Sequence, residues 1–376
     1  MARNPIGSDS GFDRIRSESP TVIACQRRPH DIHIPPGSMI AGPDRRDSAQ
    51  LTALACRILT AQGVPPAAAM WQAGLLVDAE LKGQRSHGLL RLPRLVNRIR
   101  NGVADPTATG VHTWRTSAFL AVDGGQGLGP VIARTALDAA IPRVADTGVV
   151  CVTVSAANHL GMLAWYAEYL AGRGLICVAL TTSEALVHPY GGRGALLGTN
   201  PIAIGVPAVP EPFVLDMATS EISMGKIHAH ALAGTPLEPG WALDAAGNPT
   251  TDAEAAKAGA IAPFGGAKGY GLGLGIELLV AALTASATGT DVHGTLDETK
   301  PATKGDVFLL LDPVAAPDQL TGYLDQIRAS GYDQPVLVPG DRARARRNAA
   351  LREGIELPQA LLDQLDELDP NRKATP

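Results

Sequence analysis

Residues 151–161, CVTVSAANHLG, combine an apolar, β-branched run with a histidine at its end. Such a run predicts a buried strand, and Asn158 and His159 follow it just ahead of a glycine. A strand end can hold an imidazole steady as a proton donor, because histidine titrates near neutral pH. A histidine in this position can equally cap a helix or fill a pocket. His159 is therefore a candidate acid/base residue that needs support from the rest of the chain.

A second polar segment, GQRSHG at residues 83–88, lies between two predicted helices. Ser86, His87 and Arg91 bring a hydroxyl, an imidazole and a guanidinium to the start of the second helix, where an anion is favoured. The alternative is a serine that caps the helix, with arginines on the surface. The segment alone leaves both interpretations open.

A glycine-rich loop at residues 124–129 follows a predicted strand at 119–123 and precedes a predicted helix at 130–145. With Asp146 about where a ribose-binding acid would lie, this order imitates a dinucleotide-binding fingerprint. The glycines do not follow the GxGxxG spacing, however, and Pro130 removes one amide that such a loop offers to a diphosphate. We therefore expect a tight, exposed turn here.

Lys268 lies between glycines in GGAKGYG, where a backbone without side chains lets its ammonium approach a diphosphate or a carboxylate closely. The helix predicted after it, 272–285, is rich in glycine and alanine, and we expect it to be tightly buried. His228 and His230 are two residues apart on a predicted helix and face different directions, so we predict no metal site there.

The composition is that of a globular protein, with 45% hydrophobic and 18% charged residues among 376. A net charge of −5 gives no indication of a nucleic-acid partner. The polar N-terminus and the lack of a membrane-length apolar run predict a soluble, cytoplasmic protein. The four cysteines have no CxxC spacing, which favours a reducing compartment and argues against structural zinc. Residues 1–43 have no sustained periodicity and are expected to form a mobile extension.

Several motifs together resemble the malate/L-lactate dehydrogenase family of the non-Rossmann type, which also contains ureidoglycolate and L-sulfolactate dehydrogenases and Δ1-piperideine-2-carboxylate reductase. The resemblance runs from about residue 47 to about 368. It is carried by SHGLLRLP at 86–93, VDGGQGLG at 122–129, NHLG at 158–161, GGRGALLGTNPIAIGVP at 191–207, LDMATS at 215–220, GWALDAAGNPTTD at 240–252 and KGYGL at 268–272.

The resemblance implies an α/β fold with a helical N-terminal part and a mixed-sheet cofactor domain. It places 44–118 with 305–376 in a helical, substrate-side domain and 119–304 in an NAD(P)-binding domain. It also implies a homodimer that uses NAD or NADP, without a metal, to interconvert a 2-oxo acid and a 2-hydroxy acid of malate or lactate type. The choice between the two cofactors is left open by the sequence.

The same resemblance assigns roles to individual residues. His159 corresponds to the acid/base, and Ser86, His87 and Arg91 correspond to the group that binds a small carboxylate substrate. Positions similar to the family's cofactor contacts are Ser183, Asp216, Met217, Ala218 and Lys268, with Asn200 in a supporting role.

Three features depart from the family pattern: Arg85 before the serine, the stretch 286–303, and the N-terminal extension. Arg85 is expected to add positive charge beside the substrate carboxylate. Two alternatives remain open at this point. The same site can reduce a cyclic imine such as Δ1-piperideine-2-carboxylate, or the chain can be a non-catalytic protein that binds the cofactor.

Overall fold

The computed structural model describes residues 45–372, so the predicted extension at 1–43 lies outside the described part. The helices, in chain order, are α1 Ser48–Ala61, α2 Pro66–Leu81, α3 Arg91–Arg100, α4 Gly129–Thr147, α5 Ala164–Ala171, α6 Met224–Ala233, α7 Ala253–Ala256, α8 Ala267–Thr284, α9 Pro317–Ala329, α10 Asp341–Glu353 and α11 Gln359–Leu368. Short 3-10 turns occupy Arg85–His87 and Gly289–Asp291.

The strands are β1 Arg45–Arg46, β2 Val111–Thr116, β3 Phe119–Asp123, β4 Val149–Ser155, β5 Ile176–Thr181, β6 Ile202–Val206, β7 Phe213–Met217, β8 Ala242–Leu243, β9 Pro249–Thr250, β10 Ala260–Ile261, β11 Gly305–Leu311 and β12 Ile355–Glu356. Seven of them form one sheet in the order β2-β3-β4-β11-β5-β6-β7. Only β3 and β4 pair in parallel in this sheet; the other neighbours are antiparallel. The sheet therefore includes two strands from outside the predicted cofactor domain of residues 119–304: β2 precedes it and β11 follows it. The division into two domains stays a prediction.

Helices cover the seven-stranded sheet on two faces, and each layer buries apolar side chains. One cluster joins α4 and α5 to the sheet through residues such as Ile132, Tyr166 and Phe308. A smaller cluster brings Ile276 and Val280 of α8 against other strand residues. The helices α1, α2, α3 and α11 form a further core of their own. This layering agrees with the mixed α/β fold that the sequence predicted.

Local sequence accounts for the helix boundaries near the site. Asp47 caps α1 by accepting from the amides of Ala49 and Gln50, and Pro66 occupies the first turn of α2. The sequence from 160 to 172 predicts a helix directly after His159, but α5 begins later, at Ala164. Gly161 has a φ of +77°, which a helix cannot accommodate, so residues 156–163 form a loop between β4 and α5.

The prediction of a tightly buried helix after Lys268 is wrong. Only 28% of the residues of α8 are buried, and Leu272, Leu278 and Leu279 are exposed. The helix is apolar on all sides, so its sequence does not distinguish the face that meets the sheet from the face that does not. Among residues 45–372, α8 is the one helix long and apolar enough to cross a membrane, a criterion that core helices of soluble proteins also meet.

Candidate active site

His159 lies in the loop that follows β4, and its ring orientation is set by a backbone contact. The amide of Gly161 donates to Nδ1 of His159 at 3.1 Å. A ring nitrogen that accepts a hydrogen bond carries no proton, so the neutral imidazole has its proton on Nε2. Nε2 is thus the nitrogen available to a substrate oxygen.

Asn158 anchors the loop from behind. Its Nδ2 donates to the carbonyls of Gln126 and Gly127 at 2.6 and 3.2 Å, and its Oδ1 accepts from Nε of Arg98 at 2.7 Å. All its hydrogen-bonding groups are used in a buried setting, which fixes the histidine beside it.

The glycine-rich loop is part of this support. It contains the predicted tight turn, in which the amide of Gly127 donates to the carbonyl of Gly124 at 2.8 Å, but apart from Gly125 its glycines are not exposed as predicted. Gly124, Gly127 and Gly129 are buried. A Cβ on Gly129 would lie 2.4 Å from the carbonyl oxygens of Asn158 and His159, closer than atoms can approach. The glycine at this position is needed for packing against the His159 loop.

Tyr166 supports the same loop from α5. Its hydroxyl donates to the carbonyl of Leu160 at 2.6 Å, and the side chain is buried. Burial, with the nearby Asp306 carboxylate, raises the pKa of Tyr166 well above its usual range, so the hydroxyl stays protonated and remains a donor.

His87 stacks on His159, with ring centroids 5.3 Å apart and planes 3° from parallel. Burial and the charge of Arg91 lower the pKa of His87 to about 4. Burial, Arg91, His87, Lys304 and Arg94, in that order, lower the pKa of His159 well below its usual value. Both rings are therefore neutral at pH 7 in the absence of an anion.

Arg91 reaches the two histidines from the start of α3. Its Nε donates to the carbonyl of Ser86 at 2.6 Å and its Nη1 to the carbonyl of Thr295 at 3.2 Å. Burial and the neighbouring Arg94 lower the pKa of Arg91 to about 10, while Glu184 opposes that shift. Arg91 stays charged at neutral pH and has N–H groups left for a ligand.

Glu184 holds the segment that carries the carbonyl of Thr295. Its Oε1 accepts from the amides of Thr295 and Leu296 at 2.8 and 2.9 Å. This contact links the end of β5 to the loop that receives Arg91. The sequence prediction gave Glu184 no role, although it lies in the polar tip of that strand.

Ser86 and Arg85 occupy different surroundings. The first residue of α3 is Arg91, so Ser86 is too far from the helix to cap it. The backbone carbonyl of Ser86 accepts a hydrogen bond from Arg91 instead. Arg85 is exposed and lines a cavity of about 420 Å³ with Glu80 and Arg346. None of the predicted substrate residues lines that cavity, so nothing supports the extra charge expected beside the substrate carboxylate.

The predicted cofactor residues near the sheet gather at the ends of β5, β6 and β7. Ser183 Oγ accepts from the amide of Thr199 at 2.9 Å, and the carbonyl of Thr199 accepts from the amide of Thr219 at 2.8 Å. Met217 pairs with Ile202 across β6 and β7. Ala218 follows directly and is half-buried.

Asp216 caps the helix that follows the histidine loop. Its Oδ2 accepts from the amide of Ala164, the first residue of α5, at 2.8 Å. Burial raises the pKa of Asp216 to about 6, against the lowering effect of this hydrogen bond. Asp216 thereby connects the end of β7 to the segment carrying His159.

Asn200 and Lys268 lie at opposite extremes of burial. Asn200 is fully buried, and its Nδ2 donates to Gly273 and Glu277 of α8 at 3.1 and 2.7 Å. Lys268 is exposed in the first turn of α8. The helix starts from Gly266, which has no side chain to satisfy the free amides of that turn.

The structure thus brings His87, His159 and Arg91 together and places the predicted cofactor residues at neighbouring strand ends. Sequence reasoning gave no role to the supporting residues Tyr166, Glu184, Arg94, Arg98 and Lys304. Arg91, Arg94 and Arg98 do repeat at helical spacing, a pattern visible in the sequence. Within residues 45–372, no group of three His, Cys, Asp or Glu side chains is arranged to hold a metal.

Comparison with known proteins agrees with this architecture. The family model described as malate/L-lactate dehydrogenase matches residues 47–366. L-sulfolactate dehydrogenase from Methanothermobacter thermautotrophicus is 37% identical over 82% of this chain and 91% of its own. Delta(1)-pyrroline-2-carboxylate reductase 1 from Burkholderia ambifaria is 34% identical over 84% and 95%.

A solved structure of a dehydrogenase is also similar to this chain. The crystal structure of a dehydrogenase from Sinorhizobium meliloti has a TM-score of 0.84 and 53% identity, covering 86% of this chain and 98% of its own. The predicted fold and enzyme class are confirmed. The chain belongs to the malate/L-lactate dehydrogenase family and is an NAD(P)-dependent oxidoreductase.

Proposed function

We propose that the enzyme interconverts a 2-oxo acid and a 2-hydroxy acid of malate or lactate type, with His159 as the acid/base. The observation that carries this proposal is the stacking of His159 on His87, with Arg91 close enough for its charge to lower the pKa of both rings. A planar guanidinium suits the carboxylate of such a substrate, and an imidazole beside it suits the oxygen on the next carbon. Ser86, whose carbonyl holds Arg91, is the further substrate contact in this proposal.

The residues at the strand ends suit a nicotinamide dinucleotide. Lys268 and the free amides in the first turn of α8 match the negative charge of a diphosphate. Ser183, Asp216, Met217 and Ala218 offer polar and backbone groups on the side nearer His159, with Asn200 holding the turn against α8. When bound, the reduced nicotinamide supplies a hydride. The cofactor is NAD or NADP.

Proton transfer requires a change in the state of His159. During reduction, the carbonyl carbon of the substrate accepts the hydride and its oxygen takes a proton from Nε2. Nδ1 must then have gained a proton beforehand, at the expense of the hydrogen bond from Gly161. A bound carboxylate offsets the positive charge of Arg91 and so raises the pKa of His159. Substrate binding thereby prepares the proton donor.

A cyclic imine is the second candidate substrate. It is favoured by the similarity to a pyrroline carboxylate reductase, and the same histidine would protonate nitrogen in place of oxygen. Family membership argues against the non-catalytic alternative.

A homodimer and a cytoplasmic location complete the proposal. The exposed leucines of α8, Leu272, Leu278 and Leu279, offer an apolar surface that a second copy of the chain would cover. Among residues 45–372, Cys56, Cys151 and Cys177 form no disulfide with one another, as in a reducing compartment.

The test is a screen of NADH and NADPH oxidation with pyruvate, oxaloacetate, sulfopyruvate, oxalurate and cyclic imino acids, for the wild type and His159→Gln. We expect the variant to lose about 10²- to 10⁴-fold in turnover, as for other general acids, while cofactor affinity stays within about threefold. Equal turnover by both proteins would overturn the role of His159. No oxidation with any of these substrates would overturn the proposed reaction.

A further inference from the structure

Glu80, in the last turn of α2, lies next to the substrate-side segment and has no role in the reaction described above. The side chain is only 6% exposed, and its Oε1 accepts from the amide of Leu89 at 2.8 Å. Leu89 lies between His87 and Arg91 in the chain. A single hydrogen bond therefore connects a buried carboxyl group to the segment that carries both residues.

The approach of this segment to Glu80 is unusually close. A Cβ on Gly88 would lie 2.1 Å from Oε1 of Glu80 and 2.5 Å from its Cδ. Gly88 has a φ of −89°, which any residue adopts, so the effect of a larger residue here would be to displace the Glu80 carboxyl group and not to strain the backbone. The contact between Glu80 and the segment thus depends on the identity of both residues.

The second oxygen of Glu80 is left unsatisfied. Oε2 is buried and has no hydrogen-bond partner among the described residues. Burial raises the pKa of Glu80 to about 7, while the bond from Leu89 and the charge of Arg85 oppose the rise. Other charged residues line the cavity that Glu80 faces: Arg45, Arg346, Glu353 and Glu356. If Glu80 had only a structural role, a neutral side chain at this position would cost less free energy to bury.

We propose that Glu80 is a positioning residue, which holds His87 and Arg91 in place through the amide of Leu89 and holds them most firmly when its carboxyl group is ionised. An ionised oxygen accepts a stronger hydrogen bond than a neutral one. Substrate affinity then rises as Glu80 loses its proton. This inference rests on the proposed function, because it assumes that His87 and Arg91 contact the substrate.

The effect on folding stability has the opposite sign. The pKa of Glu80 is higher in the folded protein than in the unfolded chain, so the unfolded chain loses its proton first. The contribution of Glu80 to stability is full below the unfolded pKa and falls as pH rises through the folded value near 7. Above that pH, ionised Glu80 weakens the fold while it strengthens the hold on the substrate segment. The two properties are therefore separable by experiment.

The experiment compares Glu80→Gln and Glu80→Leu with the wild type at pH 6 and pH 8, with the surface change Glu254→Gln as control. It measures KM and kcat for a 2-oxo acid, thermal stability, and hydrogen exchange at the Leu89 amide. At pH 8 we expect Glu80→Gln to be at least as stable as the wild type but to have a KM about 3- to 10-fold higher, with the pH dependence of KM reduced. Glu80→Leu should raise KM about tenfold or more and speed exchange at Leu89, because that amide loses its acceptor.

A KM and pH profile of Glu80→Gln equal to those of the wild type would overturn the proposal. Unchanged exchange at Leu89 in Glu80→Leu would do the same. A wild type that reduces no substrate would overturn the proposed function instead, and the exchange measurement would still decide the role of Glu80.

Discussion

Each end of α3 carries a partly or fully buried arginine, and the two arginines have different roles. At the C-terminal end, Arg98 donates hydrogen bonds to Oδ1 of Asn158 and to three backbone carbonyls, those of Val103, Asp297 and Lys300. At the N-terminal end, Arg91 bonds two carbonyls, and Nε of Arg94 is buried with no partner among the described residues. Arg98, with four of its five N–H groups bonded to the protein, supports the fold. An arginine with donors left over, beside a neutral histidine, is suited to an anion that arrives from solution.

The largest expected difference between the two ends of α3 is the loss of activity on substitution of Arg91. Arg91→Met removes the charge that faces the substrate carboxylate, so kcat/KM should fall about 10²- to 10³-fold, as when one partner of a buried charge pair is lost. The free energy of unfolding should fall by only about 1 to 2 kcal/mol, because two bonds to carbonyls are lost. Steady-state kinetics and urea unfolding measure the two quantities. Arg100→Met, at the exposed end of the same helix, is the control and should leave both unchanged.

Arg98→Met should show the reverse pattern. It leaves Oδ1 of Asn158 and three carbonyls without their donor, so we expect the free energy of unfolding to fall by about 3 kcal/mol. Urea unfolding at pH 7 measures this. A variant as stable as the wild type would contradict the division of α3 into a supporting end and a ligand-binding end.

Local sequence patterns predicted much of the fold and the positions of the motif segments. The β-branched run before His159 forms β4 as predicted. The chain between α1 and α2 contains a glycine and a proline at 63–65, residues that commonly separate two helices. The predicted cofactor residues Ser183 and Asp216 also lie near each other, because the ends of β5, β6 and β7 are at one edge of the sheet. These features depend on neighbours in sequence, which a single chain displays.

Contacts across long separations could not be predicted in the same way. Arg98 meets Asn158 across 60 positions, and Glu184 meets Thr295 across 111. The burial of the glycine-rich loop follows from packing against Asn158 and His159, and no turn pattern contains that information. The exposed leucines of α8 were missed for a related reason, because an apolar helix does not show which of its faces another element will cover.

Burial, together with the positive charge of Arg91 and its neighbours, keeps the His159 ring neutral until a substrate carboxylate offsets that charge. The direct measurement is a pH titration of the labelled His159 ring by NMR, assigned with His159→Gln, for the enzyme with NADH alone and with NADH plus oxamate. We expect a pKa well below the ordinary 6.5 without oxamate and a rise of about one unit or more when oxamate binds. A pKa near 6.5 in the absence of oxamate, or no rise on binding, would contradict it.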